Sequence, residues 1–127
     1  MDMSLEKPQI DRPEGPAPSD LEKSDITVGE GQEAKAGDTV SVHYVGVSHS
    51  TGDQFDASWD RGEPLRFGLG AGQVIPGWDQ GVAGMKEGGR RVLVIPSDLG
   101  YGPQGSPPTI PGGSTLVFVV DLEKVNP

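Results

Sequence analysis

Residues 90–125 read RRVLVIPSDLGYGPQGSPPTIPGGSTLVFVVDLEKV, and the middle of that stretch decides what fold the chain can take. Between Pro96 and Gly113, ten of eighteen positions are Pro or Gly. Proline lacks a backbone donor and clashes with the preceding helical turn, so this run cannot be helix. A central strand would lose ladder bonds at each proline. The flanking runs are of the opposite kind. Arg90 to Ile95 is rich in β-branched residues, and Thr115 to Val125 puts Leu116, Phe118, Val120 and Leu122 on one face of an alternating strand. The segment is therefore a long loop held between two strands, and loops of this length in compact domains are usually lids or binding loops. Tyr101 is its single aromatic residue.

Upstream, Val74 to Met85 is the one segment with helical spacing. Trp78, Val82 and Met85 recur at that interval, Pro76 suits a first turn, and Gly88-Gly89 ends the run. Internal Gly81 and Gly84 make such a helix weak in isolation, so packing must hold it. Leu65 to Leu69 suits a short strand. Thr39 to Val47 (TVSVHYVGV) alternates, with Val40, Val42 and Tyr44 on one face and Ser41 and His43 on the other. Ser50 to Asp53 signals a turn, Phe55 and Asp56 follow it, and Ala57 to Pro64 is expected as loop. Ile26 and Val28 alternate with polar residues ahead of Gly29, Gly31 and Gly37, which predicts a short first strand. The sum is four to six strands, antiparallel because sequential strands are joined by turns, with one short helix as the natural cover for a sheet face.

Residues 1–20 (MDMSLEKPQIDRPEGPAPSD) are charged and Pro-rich, and bury too little to offset the entropy of ordering. They are expected as a flexible, solvating tail, pieces of which could lie along the domain, and residues 21–127 as the folded domain. A length of 127 residues allows one domain with a real core, and 20 Gly with 12 Pro suits a β-rich chain with many turns. The net charge of −9 argues against nucleic acid or an anionic membrane as partner. The absence of Cys excludes disulfides and thiolate chemistry, and His43 and His49 are too few for a His-based metal site, so no metal or cofactor is expected. No apolar stretch approaches bilayer length and the N-terminus lacks signal-peptide character, which predicts a soluble, cytoplasmic protein.

The motifs of covalent and phosphate chemistry are missing. No serine sits in a G-x-S-x-G context, and no H-E-x-x-H, P-loop or dinucleotide fingerprint occurs. The glycine run Gly68 to Gly72 lacks the Lys-Ser/Thr pair that a phosphate loop needs. What remains is a set of seven aromatics at turns and strand ends: Tyr44, Phe55, Trp59, Phe67, Trp78, Tyr101 and Phe118. Core packing accounts for Phe67. Trp78 suits both the core and the floor of a pocket, and Trp59 either a rim or a chance exposed ring. Asp56 and Arg61, five residues apart, make either an ion pair bracing a loop or ordinary turn chemistry.

The order of these residues resembles a known family. VHYVG (42–46), FDASWDRGEPLRF (55–67), GQVIPGWDQGVAGMKEGGRR (72–91), IPSDLGYG (95–102) and STLVFVVDL (114–122) are similar to the FKBP-type peptidyl-prolyl isomerases, the immunophilins that bind tacrolimus and rapamycin. The resemblance runs from about Asp25 to the C-terminus. It implies an α+β fold, a strongly twisted antiparallel sheet of five to six strands wrapped around one short helix, with an apolar pocket between them. The implied floor is Trp78, and the implied walls are Tyr44, Phe55, Val74, Ile75 and Phe118. Tyr101 and the Ile75 backbone amide are the implied donors to a bound carbonyl. Asp56 is the implied pocket carboxylate, fixed by Arg61 and Tyr44, and the stretch around Ser106, Thr109 and Ile110 is the implied lid. The chain departs from the family pattern at Leu65, where many members carry an aromatic, at Ser106, where His is frequent, and at Thr109, where an aliphatic is common.

The resemblance further implies rotation of X–Pro bonds in polypeptide clients without covalent intermediate, metal or cofactor, and inhibition by tacrolimus-like macrolides. A monomer is expected because no amphipathic stretch is left over for an interface, although an edge strand could still pair. A proline-peptide or macrolide binding module, or a folding helper with incidental isomerase activity, is the alternative that shares the same pocket.

Overall fold

The spine of the sheet is a pair of ten-residue strands, β2 (Thr39–Ser48) and β6 (Leu116–Val125) counted in chain order. They run antiparallel from Val40 opposite Val125 to Ser48 opposite Leu116. The computed structural model describes residues 7–10, 15–106 and 109–126. β5 (Arg90–Ile95) lies antiparallel along the other side of β6, and β1 (Glu22–Thr27) along β5. β2 is long enough to take two short partners end to end. β4 (Leu65–Gly68) pairs with Thr39–Val42, and β3 (Gln54–Ala57) with Val45–Val47. The six strands thus form one antiparallel sheet in the order β1-β5-β6-β2-β3, with β4 also on β2. Two one- to two-turn helices complete it, α1 (Ser58–Arg61) and α2 (Pro76–Gly81).

Side chains alternate across a strand, so each long strand feeds two layers. Val40, Val42 and Tyr44 of β2, Leu93 and Ile95 of β5, and Phe118, Val120 and Leu122 of β6 form the main core with Phe67, Trp78, Val82 and Met85. Val45, Val47, Ala57 and Val117 form a smaller cluster of their own, against which Trp59, Val92, Val94 and Ile10 pack. Ile10 and Lys7 bring part of the N-terminal segment onto the domain, Lys7 Nζ donating to Asp60 at 2.7 Å. The expectation of a flexible tail over 1–6 and 11–14 lies outside the described residues.

The helix expected over Val74–Met85 is shorter. α2 closes at Gly81, and the chain then turns through Met85 N–H donating to Val82 O at 3.0 Å and Gly84 at φ 91°. Trp78, Val82 and Met85 are nevertheless all buried. Gly77 and Gly81 let the helix lie close against β5: a Cβ on Gly77 would stand 2.5 Å from Ile95 Cγ2, and one on Gly81 2.7 Å from Leu93 Cδ2. Arg91 of β5 secures the end, donating to the carbonyls of Gly81 at 2.8 Å and Ala83 at 3.2 Å while pairing with Asp25 of β1 at 2.6 Å.

Three further expectations change. Ala57 to Pro64 contains α1, closed by Gly62 at φ 77°. The Pro/Gly loop opens with a single 3₁₀ turn, Ser97–Leu99. β1 is present, but as an edge strand with every residue exposed, and Ile26 and Val28 are 60% and 65% exposed.

Candidate functional site

Between α2 and the sheet opens a cavity of about 400 Å³, lined by Tyr44, Phe55, Asp56, Leu65, Gly72, Gln73, Val74, Ile75, Trp78, Tyr101 and Phe118. Each wall traces to an element. β2 and β6 carry Tyr44 and Phe118, β3 carries Phe55 and Asp56, β4 carries Leu65, and α2 with the loop before it carries Gly72 to Trp78.

Trp78 is held in a box of rings. Tyr44 meets it edge-on at 4.8 Å, Phe118 at 5.2 Å, and Phe67 lies tilted at 5.7 Å. Phe55 continues the wall, edge-on to Phe118 at 5.5 Å. Such pairs add stability beyond their buried area and restrict each ring's orientation. Gly46 makes room for the wall, since a Cβ there would stand 2.6 Å from Phe118 Cε1 and 2.7 Å from Phe55 Cζ.

The polar edge is a bonded triad. The Tyr44 hydroxyl donates to Asp56, and Arg61 donates to Asp56 Oδ1 at 2.6 Å and to the Tyr44 oxygen at 2.7 Å. Asp56 and Arg61 therefore do form the ion pair that their spacing left open. Arg61 braces the site from behind, outside the cavity lining. Burial, reinforced by the hydrogen bond to Asp56, pushes the Tyr44 phenol up to about 12, so it stays a donor. Donation to the Tyr44 oxygen and to Asp56 keeps the Arg61 guanidinium more firmly protonated than usual.

Ser58, at the start of α1, is buried and positions this triad. Its Oγ accepts the Tyr44 backbone N–H at 2.7 Å and lies 2.8 Å from His43 Nδ1. Trp59 stacks on His43 at 4.2 Å and packs with the smaller cluster, away from the cavity lining.

The glycine run beside the cavity is occupied from within. Asp79 accepts the N–H groups of Gly70 at 2.9 Å and Gly72 at 3.1 Å, and Gln73 Oε1 accepts that of Gly68 at 2.8 Å. Internal side-chain acceptors thus hold the loop that presents Gly72 to Ile75 to the cavity. Gly46, Ser58, Gly72 and Gln73 lie inside the family-like strings, but none carries an aromatic ring or a charge that marks it as a site residue.

Several donors of the lining are left for a ligand, the Trp78 indole N–H among them. The Ile75 N–H and the Tyr101 hydroxyl donate to no group among the described residues. Tyr101 lies at the cavity edge, 40% exposed, and burial together with the charge of Asp56 raises its phenol. Ser106, Thr109 and Ile110 are not among the cavity's lining residues. Ser106 and Ile110 exchange backbone hydrogen bonds at 2.8 and 2.9 Å, and Thr109 and Ile110 line a second hollow beside Phe55.

Comparison with known proteins agrees with this geometry. Residues 30–123 match the family described as FKBP-type peptidyl-prolyl cis-trans isomerase. The chain is 61% identical over 124 residues to the FK506-binding protein of Streptomyces anulatus, covering 97% of this chain and 100% of that protein. It is 54% identical over 92 residues to mouse (Mus musculus) peptidyl-prolyl cis-trans isomerase FKBP2, covering 72% of this chain and 65% of that one. The crystal structure of AtFKBP13 superposes with a TM-score of 0.78 at 40% identity, over 85% of this chain and 94% of that one. An aromatic-floored cavity between a six-stranded antiparallel sheet and a short helix, and a match across most of the chain, place this protein in the family of FKBP-type peptidyl-prolyl cis-trans isomerases.

Proposed function

We propose that this cavity binds the prolyl ring of an X–Pro segment on Trp78 and accelerates rotation of the preceding amide without a covalent step. The observation that carries this reading is the cavity itself: aromatic floor and walls, with Tyr44, Asp56 and Tyr101 as its ionisable groups. An X–Pro amide rotates slowly because resonance must be broken, at a barrier of roughly 18–20 kcal/mol. The planar ground state is the more polar form, and the twisted transition state has lost much of its amide dipole. An apolar cavity therefore favours the twisted form relative to the planar one. Tyr101 and the Ile75 N–H, both with unused donors, hold flanking carbonyls while the acyl side turns. Only contacts that strengthen in the transition state raise the rate, and each ~1.4 kcal/mol of them gives about tenfold.

A macrolide such as tacrolimus or rapamycin competes for the same cavity, a reading supported by the name of the Streptomyces relative. The test is NMR exchange on a short X–Pro peptide, with wild type beside folded Tyr101→Phe and Phe55→Ala. Fast exchange that falls in Phe55→Ala and is suppressed by macrolide is the expected result. Exchange no faster than the uncatalysed rate, from a chain of verified fold, would leave a binding module instead.

A further inference from the structure

Phe55 lines two hollows. Beyond the cavity described above, a second one of about 210 Å³ lies between the β2–β3 turn and the end of the Pro/Gly loop. One wall is apolar, from Phe55, Ile110 and Leu116, and the other is the turn Ser48 to Gln54 with Asp53 in it. Both walls are built without help from a ligand. In the turn, Ser48 N–H donates to Asp53 O at 2.9 Å and Asp53 N–H to Thr51 Oγ1 at 3.1 Å. In the loop, Gly113 N–H donates to Gly102 O at 2.9 Å, and Gly112 lies so close that a Cβ would stand 2.1 Å from Pro103 O. Asp53 is the one charged residue lining this hollow, and its carboxylate has no partner among the described residues.

We infer that this hollow is a subsite for a basic side chain of the client, placed a few residues from the proline that occupies the main cavity. The inference rests on the isomerase reading above and deepens it. Continuity carries it first: a shared Phe55 means that a chain leaving the main cavity over that ring enters the second hollow. At ~3.3–3.6 Å per extended residue, one ring's width is roughly one to three residues of client. Charge carries it second. An apolar wall opposite a lone carboxylate suits Lys or Arg, whose methylene stem lies on apolar surface while the head stays polar. Thr109 and Ile110, absent from the prolyl cavity, acquire a role here, contacting the flanking residue of the substrate.

The test moves a single Lys through the three positions on either side of a fixed Leu-Pro pair in a short peptide. Norleucine and Glu at each position serve as controls. Exchange by NMR gives kcat/KM for wild type and Asp53→Asn, and the Lys-to-norleucine ratio is read within each protein so that general effects of the substitution cancel. The expected result is a ratio of about two to five at one position only, the range for a partly exposed ion pair. It should fall to about one in Asp53→Asn and shrink with added salt in wild type. A ratio equally raised at every position would reflect only the net charge of −9 and would overturn the subsite. So would a ratio of one throughout, or a preference that survives Asp53→Asn or ignores salt. Absence of exchange for all peptides, norleucine included, would instead overturn the isomerase reading itself.

Discussion

The Tyr44 hydroxyl donates to Asp56 Oδ2 at 2.5 Å, joining the centre of β2 to β3 at the mouth of the cavity. Arg61 closes the triangle by donating to Asp56 Oδ1 and to the Tyr44 oxygen, so the Asp56 carboxylate is held by two donors and faces the site in a fixed orientation. Charge-assisted hydrogen bonds of this kind are roughly twice as strong as neutral ones.

Asp56→Ala and Asp56→Asn should therefore differ. Alanine removes both acceptors and frees Tyr44 and Arg61 to move, while asparagine keeps one oxygen for one of the two donors. We expect kcat/KM for an X–Pro peptide to fall about tenfold or more in Asp56→Ala and about threefold in Asp56→Asn, a difference on the order of 1 kcal/mol. NMR exchange on variants with native spectra measures it. Equal and complete loss in both would make the charge itself indispensable.

Tyr44 predicts an alkaline signature. Its phenol is pushed up to about 12 when folded, by burial first and the hydrogen bond to Asp56 second, against an ordinary value of 10.0. Between those values the unfolded chain has lost the proton and the folded one keeps it. The contribution is thus present below pH 10 and disappears as pH rises through the folded value. Tyr44→Phe lacks the group. The stability difference between wild type and Tyr44→Phe should shrink by on the order of 2 kcal/mol from pH 9.5 to pH 12 in urea unfolding curves. A difference that stays flat would mean that the phenol ionises normally in the fold.

Much of this fold is legible in alternation. Val40, Val42 and Tyr44, and Leu116 to Leu122 at every second position, enter the core as their period requires. The same rule misleads at Ile26, because β1 is an edge strand paired only to β5 and no layer covers its side chains. α1 is illegible because a single polar turn carries no period; its importance lies in what Ser58 and Arg61 touch. In the site, the apolar walls follow from the family pattern. The placement of Thr109 and Ile110 depends on how a Pro/Gly loop folds on itself, through bonds such as Ser106 to Ile110. Residue identity does not encode that path.

α2 sets propensity against packing. Gly81→Ala should favour an isolated helix by about 1 kcal/mol. In the protein its new Cβ meets Leu93 Cδ2 at 2.7 Å and Cδ1 at 2.8 Å, and Leu93 is buried in the core. Packing wins in this accounting, because overfilling a tight core costs typically 1–3 kcal/mol. We expect Gly81→Ala to lower stability by about 1–2 kcal/mol net, and Leu93→Val in the same chain to recover part of the loss. Denaturant unfolding of the two single variants and the double decides it. A more stable Gly81→Ala would show that α2 has room to move off β5.

Arg90 and Asp121 face each other across β5 and β6, with Arg90 Nε donating to Asp121 Oδ1 at 2.6 Å and Nη2 to Oδ2 at 3.1 Å. Asp121 is 1% exposed, and burial raises its carboxyl although the charges of Arg90 and His43 oppose the rise. Truncating the arginine leaves a buried charge with its main counter-ion gone, so Arg90→Ala should cost about 3–5 kcal/mol at neutral pH. Arg90→Ala with Asp121→Asn should lose less than Arg90→Ala alone, since the amide carries no charge to bury. The pH dependence has a definite sign. A carboxyl whose folded value is raised binds its proton earlier in the fold as pH falls, so the penalty for Arg90→Ala should be largest at neutral pH and smaller in acid. Urea unfolding of wild type, Arg90→Ala and the double variant at pH 7 and pH 4.5 measures both effects. A penalty independent of pH, and undiminished in the double variant, would place the role of Arg90 in its packing and not in its charge.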